Sequence, residues 1–439
     1  MTTPMRAVPA ARPRTEALGA RAWLTVVVVG LVGQLAWTVE NMYLNVFVYD
    51  TISTDPTVLA VLVAASAIAA TVATFLVGTW SDRVARRRPF IAAGYVLWGA
   101  TTAAFGLVSP SAAAPVVTTV GAAVVTIVVL DCAMSVFGSG ANDAAFNAWV
   151  TETTTPANRG RVDGVLAIMP LVAMLVVFGV LDPLTRAGRW ELFFGLVGGA
   201  TAAVGVLAAF LVREPVAVRP PADGYLAALV HGLRPATVRR HPRLYLLLAA
   251  WAVVGTSTQV FLPYLIIYIQ RYLRIEAYAL VLATVLVAAS LVSVLGGRVI
   301  DRVGKQRMIL PAAAVLAAGL LGMFVARGTV PVIVAGAVMM SGFLLAVAAL
   351  AASVRDATPA GRVGMVQGLR MIAMVAIPMV AGPFLGAWVI TGANETYVDL
   401  GVVKQVPTPW IFVAAAVVAL LVVVPVAFLR RLAPQEARR

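Results

Sequence analysis

The chain has 439 residues, 61% hydrophobic and 12% charged, about half the charged share of a soluble globular domain. Its mean hydropathy is +0.94, yet it carries a formal net charge of +14. These values exclude an ordinary soluble enzyme, a disordered chain and a disulfide-built secreted scaffold. They also argue against a nucleic-acid module, because the arginines sit in gaps between long apolar runs rather than on a folded basic face. One cysteine, Cys132, and two histidines, His231 and His241, leave no set for a disulfide, a zinc site or a histidine triad. No metal, cofactor or enzymatic activity is expected.

Residues 1–21, rich in Pro, Ala and Arg, predict a disordered tail. A bilayer core about 30 Å thick needs about 20 apolar residues per helix. Twelve stretches qualify: 22–49, 56–79, 90–109, 116–149, 163–184, 190–212, 244–270, 276–297, 308–326, 330–354, 364–390 and 409–429. Backbone groups must be satisfied within the segment in lipid, so these are helices. The first lacks the cleavage pattern of a signal peptide. The longest connection, 213–243, holds Pro215, Pro220, Pro221, Pro235 and Pro242 and divides the chain into halves. The expected fold is an all-α membrane protein with two six-helix bundles, 22–212 and 244–429, and a tail over 430–439.

The basic residues set the orientation. Alternate connections on one side, with both tails, hold 26 Arg and Lys, the other side holds six, and Arg370 lies within helix 11. The side with the excess faces the cytosol, so both termini and the central loop are expected there, in a plasma (inner) membrane. His231 and His241 have Arg neighbours in that loop and read as solvated.

The halves repeat each other. Gly78-Thr-Trp-Ser-Asp82-Arg83-Val-Ala-Arg86-Arg87 follows helix 2, and Gly297-Arg-Val-Ile-Asp301-Arg302-Val-Gly-Lys305 follows helix 8. Thr155-Pro-Ala-Asn-Arg159 after helix 4 matches Thr358-Pro-Ala-Gly-Arg362 after helix 10. Gly78 and Gly297 are expected to let two helices approach closely. Asp82 is expected to accept bonds from a helix N-terminus in the other half, and Arg83 to pair with a carboxylate such as Glu152. Topology explains the arginines alone; an aspartate inside a basic loop does not serve topology and points to a gate.

Ionisable residues inside membrane helices are costly and usually functional. Helix 1 carries Gln34, Asn41 and Asn45 on one face, flanked by Trp37, with Glu40 about 100° round from Asn41. This reads as the wall of a polar cavity; helix–helix hydrogen bonding is the alternative. Helix 4 carries Asp131, Ser135, Gly138 and Asn142 in one stripe, continued by Asp143 and Asn147, and Phe137-Gly-Ser-Gly-Ala141 should weaken it. A buried carboxylate such as Glu40 or Asp131 needs a partner or a proton; Arg370 is one partner for Asp131, unless it snorkels. In helix 7, Pro263 should break the helix. Gln259 and Tyr264 there suit a sugar, while Tyr268 reads as an interfacial belt tyrosine.

The paired motifs resemble the G-x-x-x-D-R-x-G-R-[RK] signature of the major facilitator superfamily, with Ala85 as a mild departure in the first copy. Ser81-Asp82-Arg83 with Arg86-Arg87-Arg88-Pro89-Phe90-Ile91, and Asn147-Ala-Trp-Val-Thr-Glu152 with Arg159-Gly-Arg161, are similar to the glycoside–pentoside–hexuronide:cation symporters, above all the sucrose-transporter-like proton symporters. The resemblance implies two bundles rocking about a central cavity, gated by Gly78, Asp82, Arg83, Arg87, Glu152, Arg159, Gly297, Asp301 and Arg302. It implies that Asp131, which matches a helix-4 aspartate in position, carries the coupling proton; Glu40 and Asp143 are further candidates on the residues themselves, as acidic groups within membrane helices. Sodium-using relatives also place acidic residues in helix 2, which has none here after Asp55, so a proton is favoured over sodium.

The expectation is a secondary active transporter: proton-coupled uptake of a sugar or glycoside, or alternatively proton-coupled export of drugs or metabolites. The substrate cavity would draw on Gln34, Trp37, Asn41, Asn45, Ser135, Asn142, Gln259 and Tyr264. The partners expected are that small molecule and the bilayer, with no nucleic acid, and the chain acting as a monomer.

Overall fold

The computed structural model describes residues 18–84, 86–108, 119–154, 158–214, 230, 232–359, 363–399 and 402–436. The first half holds α1 (Ala20–Thr51), α2 (Pro56–Val84), α3 (Arg88–Val108), α4 (Val120–Thr153), α5 (159–186) and α6 (Trp190–Leu211). The second holds α7 (Pro242–Tyr272), α8 (Tyr278–Val303), α9 (Lys305–Val325), α10 (Thr329–Asp356), α11 (363–393) and α12 (Trp410–Leu432). Among the described residues eleven of these are long and apolar enough to cross a membrane, and α8 contributes an apolar run over Tyr278–Ser293. Exposed positions are themselves apolar, as lipid requires: Phe210, Leu280, Val325 and Trp388 point outward. The central connection contributes a short helix, Pro235–Arg240. His231 and most of the 1–21 tail lie outside the described residues.

One element was not expected. Between α11 and α12 the strands β1 (Thr396–Asp399) and β2 (Val402–Gln405) form an antiparallel hairpin, with Thr396 opposite Gln405.

Small residues set the tightest helix contacts, since lipid tails give apolar helices no reason of their own to associate. A Cβ on Gly99 of α3 would stand 2.4 Å from the Gly198 carbonyl of α6, and one on Gly205 would stand 2.5 Å from the Val96 nitrogen. In the second half a Cβ on Gly319 of α9 would meet the Met339 nitrogen of α10 at 2.2 Å. The motif glycine Gly78 behaves differently: its Cβ would meet only the Ala144 Cβ, at 3.7 Å, an ordinary contact. Close approach therefore does not demand glycine at 78. The side-chain surroundings of Gly297, Asp301 and Arg159 lie outside what is described.

The halves are stapled together at the face opposite the termini. Asp182, near the end of α5 and 2% exposed, accepts hydrogen bonds from Tyr43 Oη of α1 at 2.9 Å and from Tyr278 Oη of α8, and pairs with Arg186 Nε at 2.6 Å. Arg271 of α7 pairs with Asp50 of α1 at 2.7 Å. The Tyr264 hydroxyl lies 3.0 Å from the Pro56 carbonyl of α2 and 2.9 Å from that of Pro383 of α11. Tyr49 donates to the Gln405 carbonyl of β2. Among the described residues the ion pairs of the terminal face lie within one half each: Arg87 with Asp82 and Glu152 in the first, Lys305 with Asp356 in the second. The structure is thus clamped at the far face.

Candidate functional site

Among the described residues five helices lose regular α geometry along their length: α1 over Val39–Tyr43, α4 over Ser139–Phe146, α5 over Val177–Leu181, α7 over Tyr268–Tyr272 and α11 over Ile372–Ala376, each a π-helical turn. Such turns carry an extra residue and gather at functional sites. Those of α1 and α4 contain Glu40 and Asp143, and that of α4 falls where the glycine-rich run was expected to weaken the helix.

Glu40 is the centre of the arrangement. It is 7% exposed, and its Oε1 accepts a hydrogen bond from Ser135 Oγ of α4 at 2.5 Å. Asp131, one turn before Ser135, is 1% exposed, and Ser66 of α2 lies against it. Glu40 Oε2 and Asp131 Oδ1 are buried without a hydrogen-bond partner. Among the described residues no ion pair joins Asp131 to Arg370, whose guanidinium instead lies 5.2 Å from the centre of the Trp251 ring.

Asp143 accepts from Asn142 Nδ2 at 3.1 Å. Asn142 Oδ1 lies 2.9 Å from the hydroxyl of Tyr95 in α3, which is equally close to the Val29 carbonyl of α1. This cluster depends on Gly33: a Cβ there would stand 2.6 Å from Tyr95 Oη and 2.8 Å from Asn142 Oδ1. Tyr95 packs on Trp98 and Trp98 on Trp37, with ring centres 5.4 and 5.0 Å apart. Asn41 and Asn45 turn their Nδ2 groups back on the carbonyls of Trp37 and Asn41, at 2.8 and 3.0 Å.

A cavity of about 160 Å³ lies where these helices meet the second half. Trp37, Glu40, Asn41, Ser66, Ser139 and Asp143 line one wall, and Met371, Val375 and Met379 of α11 form the other. A second chamber, of about 270 Å³, opens mainly into α7, α8, α10 and α11. It contains Gln259 and Thr258, and otherwise presents apolar side chains and Gly255 and Gly336.

The structure therefore brings Glu40, Asp131, Asp143, Trp37, Asn41, Ser135 and Asn142 into one region, with Asn45 buried nearby on α1. Gln259 stands in the other chamber. Gln34 lines neither cavity, and its carbonyl accepts from Thr38. Tyr264 is buried with its hydroxyl spent on the far-face clamp, beside the short 3₁₀ turn Leu262–Tyr264 that Pro263 imposes. Tyr268, expected at an interfacial belt, is fully buried and stacks on Tyr272 with ring centres 5.3 Å apart. Tyr95, Ser66, Gly33 and Asp182 were not singled out by the sequence. Tyr95 lies far from the polar stripes in the chain and carries no periodic signal, whereas Asp182, an acidic residue within the expected helix 163–184 with Arg186 one turn on, carries the signal of an ionisable group in a membrane helix. Among the described residues no three His, Cys, Asp or Glu side chains group closely enough to hold a metal ion.

The loop motif is built on a different arginine from the one expected. Arg87, only 5% exposed, reaches Glu152 with Nη2 at 2.5 Å, Asp82 at 2.6 Å and Ser81 Oγ at 2.6 Å. Arg83 is exposed. It is Arg87, immediately before the start of α3, that is buried. Burial works against the charge of Arg87, but its bonds to Glu152 and Asp82 outweigh that and hold its pKa above the usual arginine value. Glu214, after α6, accepts from the backbone N–H groups of Arg87 and Arg88 at 2.9 and 3.0 Å, and so caps the N-terminus of α3. In the second half Arg302 is exposed, and Lys305 Nζ meets Asp356 at 2.7 Å.

The family model described as Major Facilitator Superfamily matches residues 26–284 and 247–439. No curated protein matches the chain. Among solved structures the chain is similar to the nucleoside transporter NupG, at 13% identity over 93% of this chain and 98% of that one, with a TM-score of 0.67. It is similar to a bacterial homolog of the human lysosomal transporter Spinster in an inward-facing, unoccupied conformation, at 15% identity over 93% and 94%, TM-score 0.65. It is also similar to the partially occluded, inward-open xylose transporter XylE from E. coli, at 15% identity over 91% and 96%, TM-score 0.63.

Proposed function

The chain belongs to the Major Facilitator Superfamily, a membrane transporter and not an enzyme, and we propose that it couples proton entry to the uptake of a sugar or glycoside by alternating access. Within the superfamily we place it with the glycoside–pentoside–hexuronide:cation symporters, on the residues Ser81–Phe90 and Asn147–Glu152 quoted above. The excess of Arg and Lys assigns the terminal face to the cytosol of a plasma (inner) membrane. With the terminal face read as cytosolic, the far-face clamp supports reading this as the state closed to the outside. The protein acts as a monomer.

One observation carries the proton reading. Two carboxylates, Glu40 and Asp131, are buried on α1 and α4 beside a cavity between the halves, each with an oxygen that no protein donor satisfies. Two negative charges in such a place are costly, and a bound proton relieves the cost. Ser135 holds Glu40 in place, and the exposure of Glu40 to the cavity lets its protonation depend on which side is open. A hydroxylated substrate meets Asn41, Ser139 and Asp143 as acceptors and donors, and Trp37 as an apolar face.

The test is uptake into proteoliposomes. An inward proton gradient should drive accumulation of a disaccharide or glycoside above its outside concentration, and a protonophore should abolish it. Uptake that requires sodium and ignores the pH gradient would overturn the coupling. The apolar second chamber favours a further reading, proton-coupled export of lipophilic compounds; exchange of lipophilic cations but of no sugar would select it.

A further inference from the structure

The second chamber has a composition that a simple sugar site does not need. Six methionines face it: Met42 of α1, Met174 of α5, Met323 of α9, Met339 and Met340 of α10, and Met374 of α11. Among the described residues that line it there is no charged side chain, and Thr258 and Gln259 are the polar ones. Its volume, about 270 Å³, exceeds the roughly 160 Å³ of the polar cavity. Methionine is unbranched, flexible and polarisable, and surfaces rich in it accept apolar groups of varying shape.

The two cavities share walls. On α1, Asn41 faces the polar cavity while Met42, the next residue, faces the chamber. On α11, Val375 faces the first and Met374 the second, and Met379 and Pro378 repeat the division one turn on. The dividing stretches are the π-helical turns of α1 and α11, or directly follow them. A molecule bound at Asn41 therefore has the chamber immediately beside it.

We propose that the transported molecule is amphiphilic, a glycoside whose sugar sits against Trp37, Asn41 and Asp143 and whose alkyl or aryl aglycone enters the methionine chamber. This rests on the sugar reading above and narrows it. Free mono- and disaccharides are then poor substrates, because they leave the chamber to water or empty. Each methylene placed in the chamber adds about 0.8 kcal/mol of transfer free energy, which is about a fourfold gain in affinity.

The experiment is counterflow in proteoliposomes with a series of alkyl β-glucosides from methyl to hexyl, a reading independent of transport direction. The half-saturating concentration is expected to fall several-fold per methylene until the chamber is filled. In the variant Met340→Ser/Met374→Ser the slope flattens relative to the parent. Equal half-saturation along the series overturns the aglycone site and leaves the sugar reading standing. A slope that the variant does not change comes from partition into the bilayer and also overturns the site. Exchange of no glycoside, methyl included, removes the sugar reading and this proposal together.

Discussion

Ser135 Oγ of α4 donates to Glu40 Oε1 of α1 across 2.5 Å. The two residues are 95 positions apart in the chain, and their bond ties the first helix of the bundle to the helix that carries Asp131. Removing the donor by Ser135→Ala leaves both oxygens of a buried carboxylate unsatisfied. Proton-driven accumulation should fall about tenfold, with Ser135→Thr restoring most of it, as read by initial rates in proteoliposomes. Full activity in Ser135→Ala would show that the bond does no more than pack the helices.

Neutralising the carboxylates separates driving from carrying. Glu40→Gln and Asp131→Asn should each lower gradient-driven accumulation at least tenfold while leaving substrate exchange at equal concentrations within about threefold. Accumulation measured beside counterflow decides it. If both activities vanish together, the residues serve binding or folding instead.

In the loop motif it is Arg87, and not Arg83 as expected, that meets Glu152 and Asp82. Breaking a buried ion pair by removing one partner costs about 3–5 kcal/mol, and Arg87 serves two carboxylates at 2.5 and 2.6 Å. Arg87→Gln should cut the transport rate at least tenfold with insertion intact, Arg87→Lys should keep part of it, and Arg83→Gln should stay within twofold of the parent. Equal loss in Arg83→Gln would return the gate to that residue.

The far-face clamp predicts a change of resting state. Asp182→Asn removes the charge that Arg186 meets, and weakens the bonds from Tyr43 and Tyr278. In a Cys132→Ser background, a cysteine at Asn41 should become reactive to an impermeant thiol reagent from the far face, several-fold faster in Asp182→Asn than in the parent. Unchanged labelling would mean that the apolar contacts close that face without the clamp.

Glycines divide by their surroundings. Gly78→Ala should express and transport nearly as the parent, since its Cβ meets nothing closer than 3.7 Å. Gly99→Ala should lower the melting temperature in detergent, because its Cβ would stand 2.4 Å from backbone atoms of α6. Fluorescence-monitored thermal unfolding of the purified variants reads both.

The sequence carried the architecture because lipid imposes it: each apolar run has to be a helix. The stripe on α4 and the pair Glu40 and Asp131 were legible for the same reason, being ionisable groups where few are tolerated. Tyr95 was not, since it acts through a partner 47 positions away, and helical periodicity carries no information about such a pairing; Asp182 is also an ionisable group within the expected helix 163–184, but only the bonds from Tyr43 and Tyr278 show it as an inter-bundle staple. Tyr264 misled because an aromatic beside a proline suits a sugar wall and an inter-bundle staple equally well; only the packing of Pro56 and Pro383 around its hydroxyl distinguishes them.

The central claim is that Glu40 and Asp131 carry a proton that moves with the substrate. Its most direct test is the internal pH of proteoliposomes, read by a trapped dye, when a glycoside is added outside without an imposed gradient. The account predicts internal acidification with the parent protein and none with Glu40→Gln or Asp131→Asn. Glycoside entry with no change in internal pH, or acidification undiminished in both variants, would contradict it.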